Sequence, residues 1–169
     1  MFPNPIFIRA EDGGAVFDNW GDKAPALLPV LPDPRGSSVS TKEAILEQLR
    51  ALATEEHDYK TVVIDSITAL NLKFEKEIIE RENADPMSRR KISTVAEAAG
   101  GFHKGYDVLK DMHAEIMYAA MYLREKKNIA VVFLSHVKHE KIKNDPSESS
   151  EYTVFALDMR SEERRVGKE

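Results

Sequence analysis

The chain has 169 residues, of which 42% are hydrophobic and 31% are charged, with a formal net charge of -5. This length and composition suit one domain with a real core, and the acidic balance excludes a protein that is basic over its whole surface. The absence of cysteine excludes disulfides, thiolate metal sites and cysteine nucleophiles. No apolar run approaches the roughly 20 residues of a membrane-spanning helix, so we expect a cytoplasmic protein without a membrane partner.

The first half of the chain predicts strands and one amphipathic helix. Residues 6–8 form an apolar strand that stops at two acids and two glycines, and the proline-rich stretch 25–34 holds no more than an edge strand. Ser40 and Glu43 stand three residues apart ahead of apolar residues at helical spacing, which is a capping box. Residues 61–64 are apolar or β-branched throughout, as in a strand buried in a parallel sheet.

The second half predicts two further helices and a second apolar strand. Apolar residues recur at helical spacing over 67–78 and again over 109–123, and the mixed segment 83–101 between them predicts a loop. The segment 129–136 is an apolar strand that ends in polar residues. The segment 137–159 predicts a polar, lysine-bearing loop followed by a short strand.

Strands that alternate with helices predict an α/β domain with a mostly parallel sheet and flanking helices. Polar residues close three of these strands: Glu11 and Asp12 follow the first, Asp65 and Ser66 the second, and Ser135 and His136 the third. Ligands of parallel sheets bind beyond the carboxyl ends of the strands. We therefore expect these side chains to converge on one site if the three strands are neighbours.

Asp65 has two interpretations at this stage. An apolar strand that ends in aspartate is the pattern that places a carboxylate in the water shell of a Mg²⁺ ion held by nucleotide phosphates. Aspartate is also a common N-cap residue, and Asp65 could cap the helix that begins near Ile67. The residues around it do not separate the two interpretations without a further comparison.

Three segments resemble the RecA-like ATPases in the family's own order. The segment "VVIDSITAL", residues 62–70, resembles the Walker B strand of that family. The segment "IFIRAEDGG", residues 6–14, resembles the strand whose closing glutamate polarises the attacking water. The segment "VVFLSHVKHEK", residues 131–141, resembles the strand that ends in a sensor of the γ-phosphate and leads into a DNA-contacting loop. More narrowly, the chain is similar to phage-encoded RecA-like ATP-binding proteins of single-strand annealing and recombination.

The resemblance implies a RecA-like P-loop NTPase core with ATP and Mg²⁺ as cofactors. Glu11 would be the general base, Asp65 would hold Mg²⁺ through water, and His136 would sense the γ-phosphate. Ser66 would join Asp65 and His136 in binding the cofactor. The resemblance also implies single-stranded DNA as a partner, leaves a homo-oligomer open, and places the protein in the cytoplasm of a bacterial host.

Two basic segments are candidates for the DNA contact because neutralising phosphates drives sequence-independent binding. The candidate residues are Lys138, Lys141 and Lys143 after the third strand, and Arg89 and Arg90 in "SRRKIS". An ordinary solvated loop is the alternative for the first segment, since Glu140 and Asp145 are interspersed among the lysines. A solvated loop is equally the alternative for the second.

The sequence departs from the family pattern in three places. It contains no G-x-x-x-x-G-K-[ST] motif, the loop that cradles nucleotide phosphates. It also carries His136 where RecA itself has glutamine, and the last residues are unlike the family. We therefore expect an N-terminally truncated, partial RecA-like domain over residues 1–158, inactive on its own, with an unstructured or artefactual tail over residues 159–169.

Two functions of other classes compete with the ATPase. A non-catalytic module could use the sheet as a scaffold and bind nucleic acid or protein through its lysine-bearing loop, which needs no P-loop. A Mg²⁺-dependent nuclease could use Glu11, Asp12 and Asp65 as metal ligands.

Overall fold

The computed structural model describes residues 2–35, 37, 39–88, 90–143 and 151–158. Its strands are β1 (Pro5–Arg9), β2 (Ala26–Leu27), β3 (Thr61–Asp65), β4 (Ala130–Phe133), β5 (Val137–Lys143) and β6 (Glu151–Leu157). Its α-helices are α1 (Thr41–Thr54), α2 (Ile67–Ala84) and α3 (Lys104–Lys127), and short 3-10 turns cover Gly14–Phe17, Gly21–Lys23 and Val95–Glu97. None of the helices in this described part of the chain is long and apolar enough to cross a membrane.

Four strands form one parallel sheet in the order β2-β1-β3-β4. Strand β3 is central, and its first four residues are buried because β1 and β4 flank it on either side. Strand β4 lies at the edge of the sheet within the described residues, and its side chains are partly or fully exposed. The predicted α/β class with a parallel sheet and flanking helices is confirmed, and the three predicted strand ends meet at one edge.

The hydrophobic core lies between the sheet and the three helices. Alternate residues of the strands point into it, since side chains along a strand alternate between faces. Its fully buried members include Ile8, Leu49, Ile64, Phe74 and Leu123. Burying each of these large side chains contributes about 1.5–3 kcal/mol, so this layer fixes the positions of the strand ends.

The start of α1 is held by a carboxylate from another helix. The Ser40 Oγ accepts a hydrogen bond from the Glu43 backbone N–H at 3.1 Å, as the predicted cap requires. The same hydroxyl donates to Glu77 Oε1 of α2 at 2.5 Å, and Glu77 Oε2 accepts from the Lys42 backbone N–H at 3.2 Å. Glu77 is buried, so the first turn of α1 and the middle of α2 are joined at a fixed distance.

Two local predictions from the sequence differ from the structure. Residues 137–143, predicted as loop, form β5 and pair with β6 as an antiparallel two-stranded sheet, from Val137 opposite Leu157 to Lys143 opposite Glu151. The charge density of β5 is typical of a loop, but pairing with a partner strand satisfies its backbone regardless of side-chain charge. The predicted loop 83–101 contains a 3-10 turn with its own capping box, in which Thr94 and Glu97 exchange hydrogen bonds.

Candidate active site at the carboxyl edge of the sheet

The residues that follow β1, β3 and β4 meet at one place. The Ser66 Oγ donates a hydrogen bond to Glu11 Oε1 at 2.7 Å, and His136 Nε2 lies 3.1 Å from the same oxygen. These contacts join three segments that are far apart in the sequence but whose strands are adjacent in the sheet. The structure therefore brings together Glu11, Ser66 and His136, next to Asp65, at the edge where the sequence predicts a site.

Asp65 is the last residue of β3 and is half-buried beside Glu11. Its backbone oxygen accepts a hydrogen bond from the Ala10 N–H at 2.6 Å, which ties the end of β1 to the end of β3. Burial raises the pKa of the Asp65 carboxyl, the negative charge of Glu11 raises it further, and His136 acts in the opposite direction. Burial and Glu11 thus make ionisation of Asp65 less favourable. A cation bound nearby would offset this effect by stabilising the carboxylate.

Ser66, and not Asp65, is the N-cap of α2. Its Oγ accepts a hydrogen bond from the Ala69 backbone N–H at 3.2 Å while it donates to Glu11. The peptide that links Asp65 to Ser66 is cis. The interpretation of Asp65 as a helix cap is therefore wrong, because the next residue supplies the cap and leaves the Asp65 carboxylate for another role.

The loop after β1 is shaped by Arg9 and by the two glycines that follow the acids. Arg9 Nε donates to the Leu28 backbone oxygen at 2.9 Å, and its Nη1 donates to Asp12 Oδ1 at 3.3 Å. A Cβ on Gly13 would lie 3.9 Å from Asp65 Oδ2, so this loop passes directly over the carboxylate. Glycine is needed at the next position, because a Cβ on Gly14 would lie 2.7 Å from Arg9 Nη1.

Thr68 and Ser135 hold the segment that carries His136, a role that was not predicted for either residue. The Thr68 Oγ1 accepts a hydrogen bond from the His136 backbone N–H at 3.0 Å and lies 3.2 Å from the Ser135 Oγ. Thr68 is buried although it is polar. A threonine within the otherwise apolar start of α2 was the available signal, since buried hydroxyls need a partner.

The three acids proposed for a nuclease do not form a metal cage. The Asp12 side chain is 81% exposed and pairs with Arg9. Among the described residues no group of three or more histidine, aspartate or glutamate side chains could hold a metal ion. The geometry therefore does not favour the nuclease, whose metal would need Glu11, Asp12 and Asp65 together.

The structure gives side-chain contacts for two of the predicted DNA-contacting residues, Lys138 and Arg90. The Lys138 Nζ lies 3.6 Å from Glu140 Oε1 and 3.6 Å from Asp158 Oδ1. Arg90 forms an ion pair with Glu97. Arg89 lies outside the described residues, as do the side chains of Lys141 and Lys143, whose backbones belong to β5. The DNA contact remains a prediction.

A parallel sheet with flanking helices and a polar site at its carboxyl edge defines an α/β domain of the P-loop NTPase type. The chain belongs to the AAA domain family, whose model matches residues 1–166. No curated protein and no solved structure matches the chain. Membership of this family makes the chain a nucleotide-binding domain of the ATPase type, and the narrower recombination group stays a prediction.

The residues present fit Mg²⁺ better than they fit a whole nucleotide. Asp65 offers a half-buried carboxylate, and the neighbouring groups are the oxygens of Glu11 and of hydroxyls together with the His136 imidazole. Mg²⁺ prefers oxygen ligands and keeps several waters, so it does not need a closed protein cage. A nucleotide also needs a backbone cradle for its phosphates, and this sequence contains no P-loop motif to supply it.

Proposed function

We propose that this chain is the Mg²⁺-binding and water-activating part of a RecA-like ATPase that acts on single-stranded DNA in recombination or annealing. The observation that carries the proposal is the meeting of Glu11, Ser66 and His136 beside Asp65 at the carboxyl edge of the parallel sheet. Family membership supports nucleotide binding. The DNA partner and the recombination role rest on the sequence resemblance.

Glu11 is the proposed general base. Its Oε1 accepts a hydrogen bond from Ser66 and contacts His136, which fixes the direction of the carboxylate. Within the described part of the chain its Oε2 has no hydrogen-bond partner, so this oxygen can orient a water molecule and accept its proton. Bound Mg·ATP would supply the γ-phosphorus that this water attacks and the phosphoanhydride bond that breaks to release ADP.

Asp65 is proposed to interact with the metal ion, and His136 with the phosphates of the nucleotide. Asp65 would hold the metal through water, because its carboxylate stands at the end of the central strand and beside the loop of Gly13. His136 would donate a ring N–H to a phosphate oxygen, and its contact with Glu11 holds the ring at the site. Ser66 would act mainly through Glu11, since both hydrogen-bonding directions of its hydroxyl are in use.

The β5–β6 hairpin is the proposed DNA contact. It begins directly after His136, so a change at the nucleotide site would be felt at its base. Lys138, Lys141, Lys143, Arg89 and Arg90 are the proposed phosphate contacts. We further propose that the protein works as a homo-oligomer, as RecA-like proteins do.

The test is ATP turnover with Mg²⁺ in a protein that carries this domain together with a P-loop, with and without single-stranded DNA. Glu11→Gln and Asp65→Asn are each expected to lower kcat by about 100-fold or more, because each removes a group that acts in the transition state. Glu47→Gln and Asp18→Asn change exposed acids away from the site and serve as matched controls. Undiminished turnover in both site variants would refute the assignment.

A non-catalytic binding module is the second candidate, favoured by the missing P-loop motif in this sequence. This alternative predicts DNA or protein binding that is indifferent to Mg·ATP and to Asp65→Asn. The ATPase predicts DNA affinity that changes with nucleotide, measured by fluorescence anisotropy of a labelled oligonucleotide in the presence and absence of Mg·ATP.

A further inference from the structure

The connection between β4 and β5 is fastened to the first turn of α2 at successive residues. The Ile67 backbone N–H donates to the Leu134 backbone oxygen at 2.8 Å. One residue further along each segment, the Thr68 Oγ1 lies 3.2 Å from the Ser135 Oγ. The His136 backbone N–H then donates to the same Thr68 oxygen at 3.0 Å. The Thr68 hydroxyl is therefore the side-chain link between the helix that follows Asp65 and the residue that contacts Glu11.

His136 is held on its other side by the hairpin. Its backbone oxygen accepts a hydrogen bond from the Asp158 N–H at 2.9 Å, directly after the end of β6. The backbone of His136 thus has one tie to α2 through Thr68 and one to the hairpin through Asp158. The imidazole of His136 is more than half exposed, so these backbone ties, and not packing, set where its ring can reach.

We propose that Thr68 is a positioning residue whose hydroxyl aims the His136 imidazole at Glu11 and couples the base of the β5–β6 hairpin to the site. Thr68 touches neither Glu11 nor Asp65 in the contacts that the structure gives, so it acts through His136. The catalytic consequence rests on the proposed function, whereas the positioning itself does not.

Three variants separate positioning from simple stability. Thr68→Val keeps the shape and removes the hydroxyl, and Thr68→Ser keeps the hydroxyl. Thr41→Val is the matched control, because Thr41 is also a buried threonine in the first turn of a helix and its Oγ1 donates to the Pro32 backbone oxygen at 3.0 Å, away from the site. A role that is only structural would make Thr68→Val and Thr41→Val behave alike.

The first measurement is amide hydrogen exchange of His136 by NMR in the 169-residue chain, which needs no ATPase activity. Thr68→Val is expected to speed this exchange by roughly fivefold to tenfold, the factor that corresponds to one lost hydrogen bond. Thr68→Ser should restore protection, and Thr41→Val should leave it unchanged. Equal protection in Thr68→Val and the wild type would overturn the proposal.

The second measurement is ATP turnover in a protein that carries this domain together with a P-loop, with and without single-stranded DNA. Thr68→Val is expected to lower kcat about tenfold or more with little change in the KM for ATP, and to abolish stimulation by DNA, because a misplaced group costs rate and not ground-state binding. Thr68→Ser should rescue both. If the wild type turns over no ATP, the proposed function fails, and the exchange measurement still decides whether Thr68 positions His136.

Discussion

The parallel sheet and the β5–β6 hairpin are held in place by different means. Val62 and Ile64 of the central strand are fully buried between neighbouring strands and helices. In the hairpin, Phe155 is 73% exposed and Leu157 is 59% exposed, and among the described residues the two strands pair with each other and with no further strand. An isolated two-stranded hairpin is marginally stable, so this one takes its position from its base at His136.

This difference suits the sheet to holding side chains in fixed positions and the hairpin to moving. Of the proposed site residues, Asp65 ends β3 and Glu11 follows the end of β1 by two residues, where packing of the sheet fixes the backbone. The hairpin keeps apolar and aromatic side chains in solvent, with His139 and Phe155 in ring contact at 4.6 Å. Because the described residues tie the hairpin at its base, we expect it to move as a unit when that base moves.

The largest expected effect compares one aromatic residue in each region. Phe74→Ala removes a fully buried ring from the core and is expected to lower the free energy of unfolding by about 3–5 kcal/mol. Phe155→Ala removes an exposed ring from the hairpin and should change it by about 0.5 kcal/mol or less. Urea unfolding followed by circular dichroism measures both. Similar losses for the two variants would contradict the view that the core, and not the hairpin, supplies most of the stability.

A smaller effect tests how tightly the start of α3 packs against the 3-10 turn Val95–Glu97, outside the sheet. A Cβ on Gly105, in the first turn of α3, would overlap the Val95 backbone oxygen. Gly105→Ala is therefore expected to cost about 1–3 kcal/mol, although alanine favours a helix by about 1 kcal/mol over glycine. Lys104→Ala, at the exposed neighbouring position, is the control in the same unfolding assay. A more stable Gly105→Ala would show that the 95–105 contact is loose.

The smallest effect concerns how far the ionised Asp65 carboxylate lowers the free energy of unfolding. The folded-state pKa of Asp65 is raised above its ordinary value of 3.8, chiefly by burial. Between 3.8 and the folded value the folded protein keeps a proton that the unfolded chain has lost, so the contribution of Asp65 to stability falls as pH rises through that window. At neutral pH the ionised carboxylate is therefore destabilising.

Asp65→Asn should accordingly raise the free energy of unfolding at pH 7, by less than about 1 kcal/mol because partial exposure screens the charge. The gain should vanish below the unfolded pKa, and Asp18→Asn, at an exposed position, should show no such gain. Unfolding curves at pH 7 and at acid pH provide the comparison. A stability loss in Asp65→Asn at pH 7 would mean that the carboxylate is held by favourable contacts instead.

Local patterns predicted most of the fold. The apolar run 61–64, the capping box at Ser40 and the helical spacing over 67–78 each correspond to an element found at that place. Those signals depend on residues that are close in sequence, so the chain alone contains them. The hairpin strand β5 was missed because its charged residues look like a loop unless the pairing with β6 is known.

The site was predictable in its residues but not in its hydrogen bonds. Glu11, Asp65 and His136 stood out because acids and an imidazole closed apolar strands. The use of Ser66 as both helix cap and partner of Glu11 did not stand out, and neither did the link from Thr68 to His136. Both depend on which strands are neighbours, since they connect residues separated by more than 50 positions.

The sequence by itself determined which segments become strands and helices and which strands end in chemically active side chains, because burial periodicity and capping are local properties. Only the tertiary structure decided that β1, β3 and β4 lie side by side and that one oxygen of Glu11 serves both Ser66 and His136. The physical reason is that these contacts arise from the packing of helices against the whole sheet, and no single stretch of the chain contains that information.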